Sequence, residues 1–156
     1  MQSASVKFDS AAQEAYLNLW RSYDRLRSIE DRLFGQWDLT AQQYNVLRIL
    51  QAAGSQSVPT LSLISRLVSK APDITRMLDR LEANGWILRE RSASDRRAVL
   101  IRITKSGSRL LDRIAAPLAE CHQEQLGHLS ESELETLSQL LRKARHPHES
   151  EGSSWK

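Results

Sequence analysis

The sequence has few of the residues and segments that build disulfides, membrane spans or secretion signals. Cys121 is the single cysteine among 156 residues, so no disulfide can form within the chain, which fits a reducing compartment. No apolar run approaches the roughly 18 residues of a membrane span, and residues 1–7 contain no apolar segment of the signal-peptide type. We therefore expect one soluble, cytoplasmic domain with no membrane partner.

The short motifs by which many catalytic sites are recognised are also missing. The chain contains no phosphate-binding loop, no H-E-x-x-H metal-ligand pair and no convincing nucleophile beside a base. We therefore expect a protein that is not an enzyme and that has no cofactor.

Positive charge is concentrated in the middle of the chain, although the net charge is only +3. Residues 60–113 contain 12 basic and 6 acidic side chains, a net charge of +6. The preceding residues 1–59 have a net charge of 0, and residues 114–156 have a net charge of −3. A basic segment flanked by neutral and acidic ones is typical of a nucleic-acid contact, although solvated arginines also occur on ordinary surfaces.

The basic segment contains a predicted helix with one apolar and one polar face. Pro72 and Asp73 are typical of a first helical turn, and Gly85 readily takes the left-handed conformation that ends a helix. The apolar positions have helical spacing, and the polar ones share the opposite face. The apolar face consists of Ile74, Met77, Leu78 and Leu81, and the polar face of Asp73, Thr75, Arg76, Asp79 and Arg80.

A predicted β-hairpin follows this helix directly. Residues 87–91 and 99–103 alternate between apolar and polar side chains, and the polar residues 92–97 between them favour a turn that presents Arg96 and Arg97. A helix can enter the major groove of DNA, and a basic loop can reach the adjacent minor groove or the phosphates. A helix followed by an arginine-tipped hairpin is therefore typical of a winged helix.

A short helix and a tight turn are predicted before the polar-faced helix, as in a helix-turn-helix. We expect Thr60 to cap this short helix, which would run from Leu61 to about Val68 with Leu63, Ile64 and Leu67 facing inward. Residues 69–71 would form the tight turn. The extended residues 58–60 could pair with the hairpin.

Long helices are predicted on both sides of residues 40–103, the first from about Ala11 to Leu33. Thr40 with Gln43, and Ser130 with Glu133, are typical capping boxes, and Thr104 is a further helix cap. The stripe of the first helix could pack on a second subunit or within the same chain. The stripe consists of Tyr16, Leu19, Trp20, Tyr23, Leu26, Ile29 and Leu33.

The same residues resemble the MarR family of bacterial transcription regulators from about Leu17 to Arg145. Three motifs carry the resemblance: D-R-L-E-x-x-G from Asp79 to Gly85, D-x-R at Asp95 and Arg97, and an L-T-x-x-G variant. The last motif has Ile103 in place of leucine and ends at Gly107.

The expected fold is mainly α with a small β-hairpin (α+β), in a single domain of residues 1–156. Residues 40–103 would form a winged helix-turn-helix DNA lobe, residues 11–34 and 105–145 a helical dimerisation lobe, and residues 146–156 a tail. The resemblance implies a homodimer that binds a pseudo-palindromic operator in double-stranded DNA. It also implies a repressor that is released by a small aromatic or carboxylic effector.

The predicted DNA contacts divide by the part of the duplex they reach. Asp73, Thr75 and Arg76 would face base edges, with Pro72 against a thymine methyl group. Lys70, Arg80 and Arg96 would meet phosphates, and Arg97 would enter the minor groove with Asp95 orienting its guanidinium. A solvated surface charge is the alternative for each. The full predicted set is Lys70, Pro72, Asp73, Thr75, Arg76, Arg80, Asp95, Arg96 and Arg97.

Other sites and functions are weaker candidates. Cys121 could act in redox sensing, but its place on an apolar stripe favours a buried thiol. The same residue with Glu124, Gln125 and His128 has helical offsets that could hold zinc, although one helix face supplies too few strong ligands. A winged helix used only for protein interaction is a further alternative. An effector cavity could be lined by Trp20, Tyr23, Trp37, Tyr44 and His122. The alternative for each of these residues is ordinary packing in the core.

Overall fold

The computed structural model describes residues 7–93, 95 and 98–155. Within these residues the chain forms six α-helices and one small antiparallel sheet, which confirms the predicted α+β class. The N-terminal half contains α1 (Ala11–Gly35), α2 (Ala41–Ala52), β1 (Val58–Pro59), α3 (Thr60–Arg66) and α4 (Ile74–Ala83). The C-terminal half contains β2 (Ile87–Arg91), β3 (Val99–Ile103), α5 (Lys105–Leu126), α6 (Glu131–Arg145) and a short 3₁₀ helix (His146–His148).

Both predicted capping boxes are present. The N–H of Gln43 donates to Thr40 Oγ1 at 3.2 Å, and the N–H of Thr40 donates to Gln43 Oε1 at 2.9 Å. Ser130 and Glu133 make the same reciprocal pair at the start of α6, at 3.3 and 2.8 Å. Each pair satisfies backbone donors that the first helical turn leaves free, so these helix starts are fixed by local sequence.

The sheet has the strand order β1-β3-β2, which confirms that the extended residues before α3 pair with the hairpin. In register, Val58 lies opposite Ile101, and Ile87 lies opposite Ile103. The side chains of Ile87 and Ile101 are fully buried, whereas their neighbours along the strands are more exposed. The hairpin is therefore anchored to the core by one face.

The core lies beneath the sheet and between α2, α4 and the N-terminal half of α5. α1 contributes only the buried residues Leu33 and Phe34 from its last turns, and α6 contributes no buried residue. Most of both helices is therefore exposed within one chain. The fully buried side chains are Phe34, Val46, Leu47, Leu50, Leu63, Leu81, Ile87, Ile101 and Ile114.

The region around α3 differs from the prediction at three points. Thr60 is the first residue of the helix and not its cap, and its hydroxyl donates to the Val99 carbonyl at 3.0 Å. Ile64 was expected to face inward, but 39% of it is exposed. The helix ends at Arg66, so the connection to α4 spans residues 67–73 and is longer than the predicted tight turn.

Tertiary contacts explain the early end of α3. The N–H of Val68 donates to the side-chain carbonyl of Asn45 on α2 at 3.1 Å, and the Gln42 amide donates to Ser69 Oγ at 3.2 Å. The backbone at Leu67 is extended. Because α2 supplies these partners, residues after Arg66 leave the helix.

The predicted tail folds back toward α3. The indole N–H of Trp155 donates to the carbonyl of Arg66 at 3.4 Å, and the Arg145 guanidinium lies 5.6 Å from the centre of the Trp155 ring. Arg145 Nε also lies 2.9 Å from Glu149 Oε1. These contacts place residue 155 beside the last turn of α3. None of the helices in the described ranges is long and apolar enough to cross a membrane.

Candidate nucleic-acid interface

The second helix of the helix-turn-helix, α4, starts at Ile74, two residues later than the prediction that placed Pro72 in its first turn. Asp73 is the N-cap, and its Oδ1 accepts a hydrogen bond from the N–H of Arg76 at 3.1 Å. Pro72 lies in the turn before the helix and not in its first turn. One carboxylate oxygen of Asp73 is thus used to hold the helix end, which leaves it less free to face a base.

The two faces of α4 are separated as predicted. Met77, Leu78 and Leu81 are buried in the core. Thr75, Arg76, Asp79 and Arg80 are exposed on the opposite face. The helix therefore presents an exposed polar face.

The end of α4 leads straight into the wing. Gly85 follows the last turn with a φ of +72°, a left-handed conformation that glycine adopts without strain. β2 then begins at Ile87. The short connection fixes the direction in which the wing leaves the helix.

The residues after the wing lock its base to α5. The Thr104 hydroxyl donates to the Gly85 carbonyl at 2.7 Å and accepts from the N–H of Gly107 at 3.0 Å. A Cβ on Gly107 would overlap the carbonyl oxygen of Trp86 and crowd the side chain of Ile103. The threonine and glycine of this motif therefore join α4, the wing and α5 at one point.

The wing tip is only partly described. Ser94 and the predicted DNA-contact residues Arg96 and Arg97 lie outside the described residues. Asp95 is exposed between the strands, and its N–H donates to Ser92 Oγ at 3.3 Å.

The two predicted phosphate contacts that the structure describes, Lys70 and Arg80, are accessible, as is the predicted base contact Arg76. Arg80 lies 3.7 Å from Asp38 in an exposed ion pair. Such surface pairs contribute little to folding stability, so this pair does not hold Arg80 firmly. Lys70 and Arg76 are exposed and form no ion pair with any residue that the structure describes. Their charges are therefore available to a polyanion.

Arg89 is a site residue that the sequence pattern did not reveal. It lies on β2, and its guanidinium contacts Glu82 at 2.7 and 2.9 Å and Asp79 at 2.6 Å. Hydrogen bonds from Arg89 hold the pKa of Glu82 below its usual value, and the pKa of Arg89 is raised by the hydrogen bond to Glu82. Only the spacing of Asp79 and Glu82, one turn apart on α4, hinted at a shared cation.

A cleft opens where the base of the wing meets α5. It has a volume of about 300 Å³. Of the five residues considered for an effector cavity, only Trp37 lines it. Arg109 and Arg113 lie on one face of α5 and make no ion pair with a described residue. The lining residues are Trp37, Trp86, Ser106, Arg109, Leu110 and Arg113.

The other four cavity candidates have different environments. Trp20 and Tyr23 are 61% and 60% exposed, so they belong neither to a cavity nor to the core of one chain. Tyr44 packs on Phe34 with ring centres 4.8 Å apart. His122 is exposed on α5.

Cys121 lies in a poor environment for either sensing function. It is buried, and this burial raises the pKa of its thiol, with Glu30 and Glu124 adding to the effect. The thiolate that reacts with oxidants is therefore disfavoured.

Of the four residues considered for zinc, Glu124 pairs with Arg32, and the Gln125 amide donates to the Leu26 carbonyl. The described part of the chain contains no group of three or more His, Cys, Asp or Glu residues placed to hold a metal ion.

A bracing helix, a recognition helix with an exposed polar face and a two-stranded wing define a winged helix-turn-helix protein. The MarR family model matches residues 39–99. The chain is 34% identical over 119 residues to the multiple antibiotic resistance protein MarR of Salmonella typhimurium, covering 73% of this chain and 81% of that protein. The chain therefore belongs to the MarR family of DNA-binding transcriptional regulators, whose members are not enzymes.

Solved structures agree with this assignment. A MarR transcription factor from Planctomyces limnophilus is 47% identical, with a TM-score of 0.70 over 86% of this chain and 98% of that one. A mutant MarR from E. coli, in complex with operator DNA, is 25% identical, with a TM-score of 0.78 over 89% of this chain and 98% of that one.

Proposed function

We propose that this protein is a cytoplasmic homodimeric repressor that binds a pseudo-palindromic operator. The observation that carries the proposal is the exposed polar face of α4 beside the wing, within the segment of net charge +6. A dimer would place one such face in each of two major grooves, about 34–36 Å apart. Repression would follow if the operator overlaps a promoter.

The proposed contacts keep the predicted division between bases and phosphates. Thr75 and Arg76 would read base edges, because they lie exposed in the first turn of α4. Pro72 would touch a thymine methyl group, and Asp73 would act mainly as the helix cap. Lys70 and Arg80 would meet phosphates. At the wing tip we assign Arg97 to the minor groove, Asp95 to orienting it and Arg96 to a phosphate.

The dimer is supported by apolar surface that one chain leaves uncovered. α1 exposes a row of aromatic and aliphatic side chains, although its sequence has the stripe of a buried helix. α6 exposes Leu137 and Leu140. Burial of this surface against a second copy is the favourable arrangement, since apolar area gains about 25 cal/mol per Å² when it leaves water. The large apolar residues that α1 exposes are Tyr16, Leu17, Leu19, Trp20 and Tyr23.

Selection from random duplex DNA tests the operator proposal. The protein should retain duplexes that share two inverted half-sites, with centres about one helical turn apart. Binding to a selected duplex should weaken steeply as salt rises, because phosphate contacts release counterions. A protein that retains no duplex above background in dilute buffer would refute the proposal. That result would instead favour the interaction-only alternative.

Release by an effector is the second part of the proposal, and the cleft beside α5 supports it. Two tryptophans offer aromatic faces, and Arg109 and Arg113 offer guanidinium groups that suit a carboxylate. The volume of about 300 Å³ fits a ligand with one aromatic ring. Because Trp86 joins α4 to the wing, a ligand there would contact the element that sets the wing's direction.

Benzoate is a suitable probe of this cleft. We expect it to quench tryptophan fluorescence and to release a selected operator duplex in the same concentration range. Arg109→Ala combined with Arg113→Ala should remove both effects, because it deletes the two cations. Arg142→Ala on α6, outside the cleft, is the matched control. Equal release from the double variant and the wild type would contradict the assignment.

A further inference from the structure

The recognition helix carries acidic as well as basic residues on the side proposed to face DNA. Asp79 is exposed one turn after Thr75, and Glu82 lies one turn further along. Phosphates repel carboxylates, and like charges placed together across an interface are unfavourable. Something must therefore offset these two charges if α4 is to enter a groove.

Arg89 reaches both carboxylates from the neighbouring strand. Its Nη2 lies 2.6 Å from Asp79 Oδ1 and 2.7 Å from Glu82 Oε2, and its Nε lies 2.9 Å from the same Glu82 oxygen. Its backbone N–H donates to Glu82 Oε1 at 3.0 Å. β2 is an edge strand of the sheet, so Glu82 also satisfies a backbone donor that β3 does not pair.

We propose, on the basis of the proposed function above, that Arg89 is a positioning residue for operator binding: it holds Asp79 and Glu82 away from the phosphates and offsets part of their charge. Two carboxylates and one guanidinium leave this cluster with one negative charge instead of two. The same contacts join the helix that reads bases to the strand that carries the wing.

The geometry assigns Arg89 to the protein's own carboxylates and not to DNA. Only 24% of its side chain is exposed, and both nitrogens named above already donate to carboxylates. The planar fork of a guanidinium suits two carboxylates at once, whereas a lysine ammonium has no such fork. A direct phosphate contact would require these pairs to open.

The experiment measures affinity for a selected operator duplex over a range of salt concentrations. Arg89→Gln should weaken binding by about tenfold, because it leaves two carboxylates facing the duplex. Adding Asp79→Asn and Glu82→Gln to that variant should restore affinity to within about threefold of wild type. The slope of log affinity against log salt should also return to the wild-type value.

Two further variants separate the effect of the Arg89 contacts from a general loss of folding. Asp79→Asn with Glu82→Gln, with Arg89 retained, should bind no more weakly than wild type. Arg102→Gln is the matched control: it breaks the 3.1 Å Arg102–Glu90 pair on the same sheet without touching α4, and we expect affinity within about twofold of wild type. Circular dichroism and thermal unfolding establish that each variant is folded.

Several outcomes would overturn the inference. Wild-type affinity in the Arg89→Gln variant would show that Arg89 has no role in operator binding. A triple variant that stays weak, with a salt slope reduced by about 0.9, would show that Arg89 contacts a phosphate itself. Weaker binding by the Asp79→Asn and Glu82→Gln pair alone would show that these carboxylates take part in recognition. Failure of the wild type to bind any duplex would instead refute the proposed function.

Discussion

Single residues at the base of the wing decide how three elements meet. Thr104 contacts Gly85 and Gly107, and the space beside Gly107 is occupied by the Trp86 carbonyl and the Ile103 side chain. A side chain at position 107 would have to displace backbone. The backbone φ of Gly107 is not in the left-handed region, so backbone conformation does not require a glycine there. The glycine is therefore needed because no side chain fits in this space.

Gly107→Ala should lower the free energy of unfolding by about 1–3 kcal/mol, because an extra methyl group in a packed site forces backbone shifts. Urea unfolding followed by circular dichroism measures this change. Gly35→Ala is the matched control, since no atom beyond its chain neighbours and its own helix backbone lies within 4 Å of the Cβ it would introduce near the end of α1. The control should be neutral or slightly stabilising. Equal stability of the two variants would contradict the packing account.

Whole elements were predictable where their limits depend on neighbours in sequence. The starts of α2 and α6 follow from capping boxes, and the alternation at 87–91 and 99–103 matches β2 and β3. The end of α3 was not predictable, because Asn45 on α2 captures the N–H of Val68. The role of Arg89 was also not predictable, because its partners Asp79 and Glu82 lie on a different element, α4. The alternation of a strand shows which face a side chain is on but not which neighbouring residues it contacts.

The contact between α4 and β2 should be sensitive to acid. The pKa of Glu82 is lowered in the folded protein, mainly by hydrogen bonds from Arg89, so its stabilising effect is present above the usual glutamate pKa of 4.5. That effect is lost as pH falls through the lower, folded-state pKa.

Glu82→Gln should therefore reduce the loss of stability between neutral pH and pH values below 4.5. Urea unfolding at several pH values measures the difference. Glu90→Gln is the control, because Glu90 forms a more exposed pair with Arg102. An acid dependence that is unchanged in the Glu82 variant would show that the pair does not link α4 to β2 energetically.

The whole molecule divides its surface between two kinds of contact. The segment of net charge +6 holds α4 and the wing, whereas α1 and α6 expose apolar side chains outside it. The sequence revealed the stripe of α1 but left open whether the same chain covers it. Within one chain only Leu33 and Phe34 of α1 are buried, so most of the stripe is left for a second copy.

Leu137→Asp on α6 should shift the protein toward monomer and weaken operator binding with it. Loss of one buried leucine costs about 1.5–3 kcal/mol, which raises the dimer dissociation constant roughly tenfold or more. Sedimentation over a range of concentrations measures this shift. Leu61→Asp on α3 is the matched control, since Leu61 is 82% exposed but does not lie on α1 or α6. We expect this control variant to sediment as a dimer. If the Leu137 variant remains fully dimeric at low concentration, α6 does not hold the two copies together, and the apolar face of α1 would have to do so alone.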